Sequence, residues 1–141
     1  MTLQDRATDI EDEFSFLDDW EERYAHIIDL GKRNPTLDAD ERTELTKVRG
    51  CASQVWMVLT PTAEDRLEIR SESDAMIVSG LIAILVRLFS GARRDEIDAF
   101  DADAFLSEIG VKGALSAQRS NGLAAMVTRS KQAAAPSDSL A

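Results

Sequence analysis

The feature that most constrains the fold is the apolar run from Met76 to Phe89, broken only by Ser79, Gly80 and Arg87. A helix that crosses a membrane needs about 20 consecutive apolar residues, so this 14-residue run reads instead as a buried core helix. Ser73 or Asp74 is placed to cap it and Gly91 to stop it, which predicts a helix from about Ala75 to Ser90. Twelve of the fifteen residues from Ala75 to Phe89 are apolar, so the helix has no polar face wide enough for solvent and belongs under a sheet.

The rest of the chain supplies the covering elements. Ile10, Phe14 and Leu17 recur at helical spacing and predict a short amphipathic helix. Asp18, with Glu21 three residues on, has the spacing of a capping box for a second helix. Trp20, Tyr24, Ile27 and Ile28 are its expected buried stripe and Gly31 its expected end. Pro35 blocks continuation, and Asn34 to Arg42 reads as a loop. Gln54 to Thr60 is rich in strand formers, and Arg66 to Arg70 alternates polar and apolar. Together they predict an antiparallel hairpin with Val55, Met57, Leu59, Leu67 and Ile69 on one face. Short helices are expected near Asp95 to Phe100 and Asp103 to Ile109, and a last one from Ala117 to Ala134. The order helices, hairpin, helices is that of an α+β fold, a small antiparallel β-sheet with α-helices packed on one face. At 141 residues one domain is expected over residues 1–135, with 136–141 as a flexible C-terminal tail.

Composition narrows the function. A net charge of -10 and a pI near 4.5 oppose nonspecific binding to nucleic acid or to an anionic membrane. One cysteine, Cys51, allows no intrachain disulfide and no cysteine cluster for a metal. One histidine, His26, removes multi-histidine metal sites. The first residues carry neither a basic start nor an apolar core of signal-peptide type, so a cytoplasmic location is expected, where a lone thiol stays reduced.

The chemistry therefore centres on Cys51. It follows Gly50, precedes a strand, and has Arg49 and Lys47 two and four positions upstream. A thiol reacts as its thiolate, nearby cations raise the ionised fraction, and a preceding glycine lets a foreign reacting group approach. The alternative is a small buried hydrophobe, the usual role of a free cysteine. Its neighbours Gly50, Ala52 and Ser53 offer little to pack against, which weighs against that alternative.

Gly50-Cys51-Ala52-Ser53-Gln54-Val55-Trp56 resembles the Gly-Cys-x-Ser-Gln-Val-Trp signature of the SufE family, sulfur-acceptor partners of cysteine desulfurases. Trp20-Glu21-Glu22-Arg23-Tyr24 leading to Ile27-Ile28-Asp29-Leu30-Gly31 resembles the family too. So do Ser73-Asp74-Ala75 with Gly80-Leu81-Ile82-Ala83, and Leu115-Ser116-Ala117-Gln118-Arg119-Ser120-Asn121-Gly122-Leu123. These blocks cover about residues 10 to 130 in family order. The resemblance implies a SufE- and IscU-like fold. It implies that Cys51 takes sulfane sulfur as a persulfide from a pyridoxal-phosphate (PLP)-dependent cysteine desulfurase of SufS-like type. The sulfur then passes to an iron–sulfur scaffold complex of SufBCD-like type. Gly50, Ala52, Ser53 and Gln54 would shape the loop that shields and extends the thiol, and Arg119 would lie beside it, with Gln118 where the family has a serine. Lys47, Arg49 and Arg119 would belong to the docking face. The chain would be no stand-alone enzyme and would need no cofactor of its own.

Two other readings are carried alongside. In one, the protein stimulates a desulfurase allosterically and Cys51 carries nothing; in the other it is a cluster or metal scaffold, for which one cysteine and one histidine are too few. His26 reads as a helix-surface or boundary residue and Trp56 as packing beside the loop, with a partner anchor as the alternative for Trp56. The acidic groups Glu11-Asp12-Glu13, Asp18-Asp19 and Asp101 with Asp103 stand at helix starts and read as caps and solvated faces.

Overall fold

The computed structural model describes residues 2–51, 53–112 and 115–135. Helix α1 (Leu3–Ser15) opens on a capping box in which Thr2 and Asp5 each accept the other's backbone N–H, at 3.1 and 3.0 Å. It buries Leu3, Ala7, Ile10 and Phe14, so it starts about two turns before the expected stripe. Helix α2 (Trp20–Lys32) is capped by Asp19, not Asp18: Asp19 accepts from Glu22 N–H at 2.9 Å, and the Glu22 carboxylate in turn accepts from Asp18 N–H at 2.9 Å. The cap is displaced by one residue from the expected position, because Asp19 and Glu22 offer the same three-residue spacing as Asp18 and Glu21. The reciprocal bond reaches the residue before the cap, so the box does not close.

The expected stripe on α2 is only partly correct. Ile27 is fully buried and Trp20 and Ile28 are half-buried, but Tyr24 stays 37% exposed. Gly31 does not end the helix either. It belongs to a crossing with α3 (Met76–Phe89), where a side chain on Gly31 would come within 2.7 Å of Gly80 N, and one on Gly80 within 2.0 Å of the Ile27 carbonyl oxygen. Two glycines thus let two backbones touch, which holds α2 against the central helix.

The hairpin forms as expected and is longer. Strands β1 (Val55–Thr62) and β2 (Arg66–Ser73) pair antiparallel with Leu59 opposite Ile69. A two-residue strand β3 (Ala92–Arg93), too short to leave a periodic signal, pairs with Leu67 and Arg66 and completes the order β1-β2-β3. Val55, Met57, Leu67 and Ile69 are buried beneath the sheet, while Leu59 is half-buried. Arg66, Glu68, Arg70 and Glu72 alternate onto the other face. There the 34–42 segment is tied down by ion pairs of Arg70 with Glu41 (2.5 Å) and Arg42 with Glu72 (3.3 Å). The turn between the strands puts Glu64 and Asp65 at φ 64° and 61°.

Helix α3 carries the core as predicted, with nine buried residues, but neither Ser73 nor Asp74 caps it in the usual way. Its cap residue is Ala75, which has no side-chain oxygen, and Asp74 is used elsewhere. Short helices α4 (Arg94–Ala99) and α5 (Ala102–Glu108) follow, then α6 (Ala117–Ala134), whose cap Ser116 accepts from Arg119 N–H. Lys131 of α6 donates to the carbonyls of Ile97, Asp98 and Phe100, satisfying the C-terminal end of α4. The buried apolar side chains of all these elements form one continuous cluster from Leu3 to Ala134, so the architecture is α+β, a three-stranded antiparallel sheet with packed helices. The expected tail 136–141 lies outside the described residues. Among the described residues no helix is long and apolar enough to cross a membrane.

Candidate functional site

Residues 49–54 connect two segments that are hydrogen-bonded to each other. Val48 N–H donates to the Val55 carbonyl and Met57 N–H to the Thr46 carbonyl, both at 2.8 Å, with Lys47 opposite Trp56 in an antiparallel bridge. The connection is a closed loop standing on a short ladder, and Cys51 is near its tip. The far stem is held by Asp74, whose Oδ1 accepts from Gln54 N–H at 3.1 Å and whose own N–H donates to the Gln54 carbonyl at 3.3 Å. This is why Asp74 is not spent on capping α3.

Helix α6 supports the loop from below along one stripe. Gly122, Ala125 and Arg129 are spaced three and four apart, so they share a face. The Cys51 Sγ lies 3.6 Å from the Gly122 carbonyl and donates to it. A side chain on Gly122 would begin 3.4 Å from that sulfur, in ordinary contact with it. Gly50 has φ 86°, in the left-handed region where glycine carries no penalty, and a side chain on it would begin 3.6 Å from the Ala125 Cβ. Arg129 donates from two guanidinium nitrogens to the Lys47 carbonyl at 2.9 Å and the Leu45 carbonyl at 2.5 Å.

Beside the thiol is a small cavity of about 20 Å³, lined by Cys51, Ser53, Val78, Leu81, Arg119 and Leu123 among others. It holds about one water-sized atom, and its walls are mostly hydrocarbon. Burial pushes the Cys51 thiol pKa up, because a thiolate here would lose its hydration. The expectation that Arg49 and Lys47 lower it is therefore not met in this conformation. Arg49 is turned away to an exposed ion pair with Glu44 at 2.9 Å, and Lys47 contributes its backbone. The resting thiol is a protonated donor.

Of the residues singled out from sequence, the structure gathers Cys51, Gly50, Ser53, Gln54 and Lys47 in the loop and its stems. Arg119 joins Cys51 across the cavity from the first turn of α6, on an exposed position. Arg49 is on the loop but faces Glu44, and Ala52 lies outside the described residues. Trp56 is half-buried, as the packing reading expects, with its carbonyl accepting from Ser71 Oγ at 2.7 Å. His26 sits edge-on to Phe14 of α1 and 3.6 Å from the Glu13 carboxylate, in the α1–α2 packing. Gly122, Asp74, Ala125 and Arg129 were not legible as site residues. Gly122 falls inside a quoted motif block, whereas Arg129 has no local signal at all. Among the described residues no group of three or more His, Cys, Asp or Glu could hold a metal ion.

Comparison with known proteins agrees with this geometry. The SufE family model, described as an Fe-S metabolism associated domain, matches residues 8–134. An uncharacterized SufE-like protein of Rhizobium meliloti strain 1021 is 49% identical over 126 residues, 87% of this chain and 90% of that protein. One from Rhizobium etli is 48% identical over 126 residues, covering 87% and 85%. The solution structure of a hypothetical protein from Thermus thermophilus shares the fold, with a TM-score of 0.74 at 15% identity over 92% of this chain and 93% of that one. A family match over nearly the whole chain, joined to relatives of almost half identity, establishes that the chain belongs to the SufE family of Fe-S metabolism.

Proposed function

We propose that this chain is the sulfur-acceptor partner of a PLP-dependent cysteine desulfurase of SufS-like type, carrying sulfane sulfur as a persulfide on Cys51. The Cys51 thiolate attacks the outer sulfur of the desulfurase persulfide. A new sulfur–sulfur bond forms at Cys51, the old one breaks, and the donor cysteine leaves as a thiolate. The step is an exchange with no net oxidant. Clearing the donor's persulfide frees the desulfurase for its next turnover, which is how the protein stimulates it. The sulfur then moves by the same exchange to a scaffold complex of SufBCD-like type. The PLP belongs to the donor, so this chain acts as a carrier and activator in the cytoplasm and not as a stand-alone enzyme.

The observation that carries this reading is the seat of Cys51. A single thiol sits at the tip of a loop tied at both stems, yet among the described residues its one hydrogen bond is a weak sulfur contact to the Gly122 carbonyl. Such a tip leaves its seat at little cost while the stems stay in place. In the seat the thiol is protonated and shielded from stray oxidants; once extended, it regains hydration and ionises more readily. Lys47, Arg49 and Arg119 supply positive charge around the loop of an otherwise acidic protein, and Ser53 moves with Cys51 while Gln54 stays with the stem on Asp74.

Intact mass after incubation with a cysteine desulfurase, PLP and cysteine tests the reading. The expected gain is about 32 Da, lost on reduction and absent in Cys51→Ser. Stimulation of the desulfurase that survives in Cys51→Ser, without any mass gain in the wild type, replaces the carrier by an allosteric activator.

A further inference from the structure

We propose that Arg129 is a positioning residue for sulfur transfer, clamping the N-terminal stem of the Cys51 loop to α6 so that only the loop tip swings when the thiol leaves its seat. The inference rests on the carrier reading above.

The contacts along the α6 stripe are graded. At Gly122 the tip is held by one S–H to carbonyl contact of 3.6 Å, and at Ala125 the helix only lies under Gly50, where an added Cβ would meet the Ala125 Cβ at 3.6 Å. At Arg129 the stem is held by two charge-assisted hydrogen bonds, to Lys47 and Leu45. Those are the only side-chain hydrogen bonds joining residues 43–48 to α6 among the described residues. Thr43 and Thr46 bond each other and the Glu41 carbonyl, which shapes the turn without attaching it to the helix. Leu45 does not attach it either, since its side chain is 87% exposed. Gly50, at positive φ three residues beyond the clamp, is then the natural pivot.

Without the clamp the stem keeps its bonds to β1 at Thr46 and Val48 but loses its fixed position over α6, and the thiol sweeps a larger volume. It escapes its seat more often, but it spends less time where a docked donor's persulfide can meet it. Small reagents and a protein donor should therefore respond in opposite directions.

The test uses Arg129→Met, which keeps the aliphatic stem and loses both bonds, and Arg129→Lys, which keeps the charge. With a small aromatic disulfide as probe, Cys51 in Arg129→Met should react about tenfold faster, the effect of losing roughly one charge-assisted hydrogen bond. With a persulfidated desulfurase as donor, the maximal rate of mass gain should fall about tenfold with little change in the half-saturating donor concentration. Arg129→Lys should recover part of both changes, and amide exchange should quicken in residues 46–50 but not in α3. Both rates unchanged, both moving in the same direction, or exchange quickening throughout the core overturns the proposal; if Arg129→Met does not fold, Arg129→Lys is judged by the same criteria. A wild type that takes up sulfur while the probe rate is unmoved by the substitution overturns the clamp alone. A wild type that takes up none overturns the carrier reading and the transfer role with it, whatever the probe reports.

Discussion

The same substitution at two helix-interior glycines should have opposite effects. Replacing glycine by alanine inside a helix stabilises by about 1 kcal/mol, because alanine has less backbone freedom to lose. At Gly122 the new methyl would meet Cys51 Sγ at 3.4 Å, with the Cys51 Cα and Cβ at 3.7 Å, which is ordinary contact. The propensity gain should survive there, and Gly122→Ala should be more stable by about 1 kcal/mol. At Gly80 the methyl would lie 2.0 Å from the Ile27 carbonyl oxygen and 2.7 Å from its carbonyl carbon. Those atoms are backbone, so α2 and α3 must separate along their crossing and loosen the contacts around it. Overpacking of this kind costs about 3 kcal/mol, which leaves Gly80→Ala less stable by about 2 after the propensity gain. Urea unfolding followed by far-ultraviolet circular dichroism measures both. The two midpoints should fall on opposite sides of wild type, and thermal midpoints should differ by roughly 10 °C at a few degrees per kcal/mol. A Gly80→Ala variant as stable as wild type would refute the backbone contact between α2 and α3. A destabilised Gly122→Ala variant would mean that the thiol is seated more tightly on α6 than the 3.4 Å spacing describes.

Two further outcomes follow from local chemistry. Burial raises the Cys51 pKa in the folded protein, so its contribution to stability is complete below the ordinary thiol pKa and is lost as pH rises through the folded value. The rate of Cys51 with a small disulfide should accordingly reach half its maximum at higher pH than a free cysteine does, and a midpoint at or below the free value would contradict the seated, dehydrated thiol. At the hairpin turn Glu64 is held at φ 64°, which costs a side-chain-bearing residue about 1 kcal/mol. Its ion pair with Arg66 is 3.6 Å long and exposed and offsets little of that. Glu64→Gly should raise the melting temperature, and a fall would show that the glutamate side chain contributes more than its geometry implies.

What was legible in advance follows from the range of the interactions involved. An unbroken apolar run located the core helix and alternation located most of the hairpin's buried face, because an element buried all round is apolar throughout while a half-buried strand repeats apolar side chains at its own period. The aspartate cap of α2 was legible in kind but not in register, since two adjacent aspartates each had a glutamate at the required spacing. Gly31 read as a helix stop because terminal glycines are common, and nothing local reveals that it faces another glycine across a helix crossing. Strand β3 exists only because β2 offers it an edge.

The site divides in the same way. The lone thiol, the flexible glycine before it and the motif around them are properties of one short stretch of chain, so Cys51 could be singled out before any coordinates. Its ionisation could not. Two cations close in sequence suggested a lowered pKa, whereas the folded chain turns Arg49 toward Glu44 and sinks the sulfur against Gly122, so dehydration prevails. Asp74 and Arg129 became parts of the site only when β2, α3 and α6 converged on the loop from 20 or more residues away. Reactivity was written into a residue type and its neighbours, while its control depends on burial and on partners that long-range packing brings together.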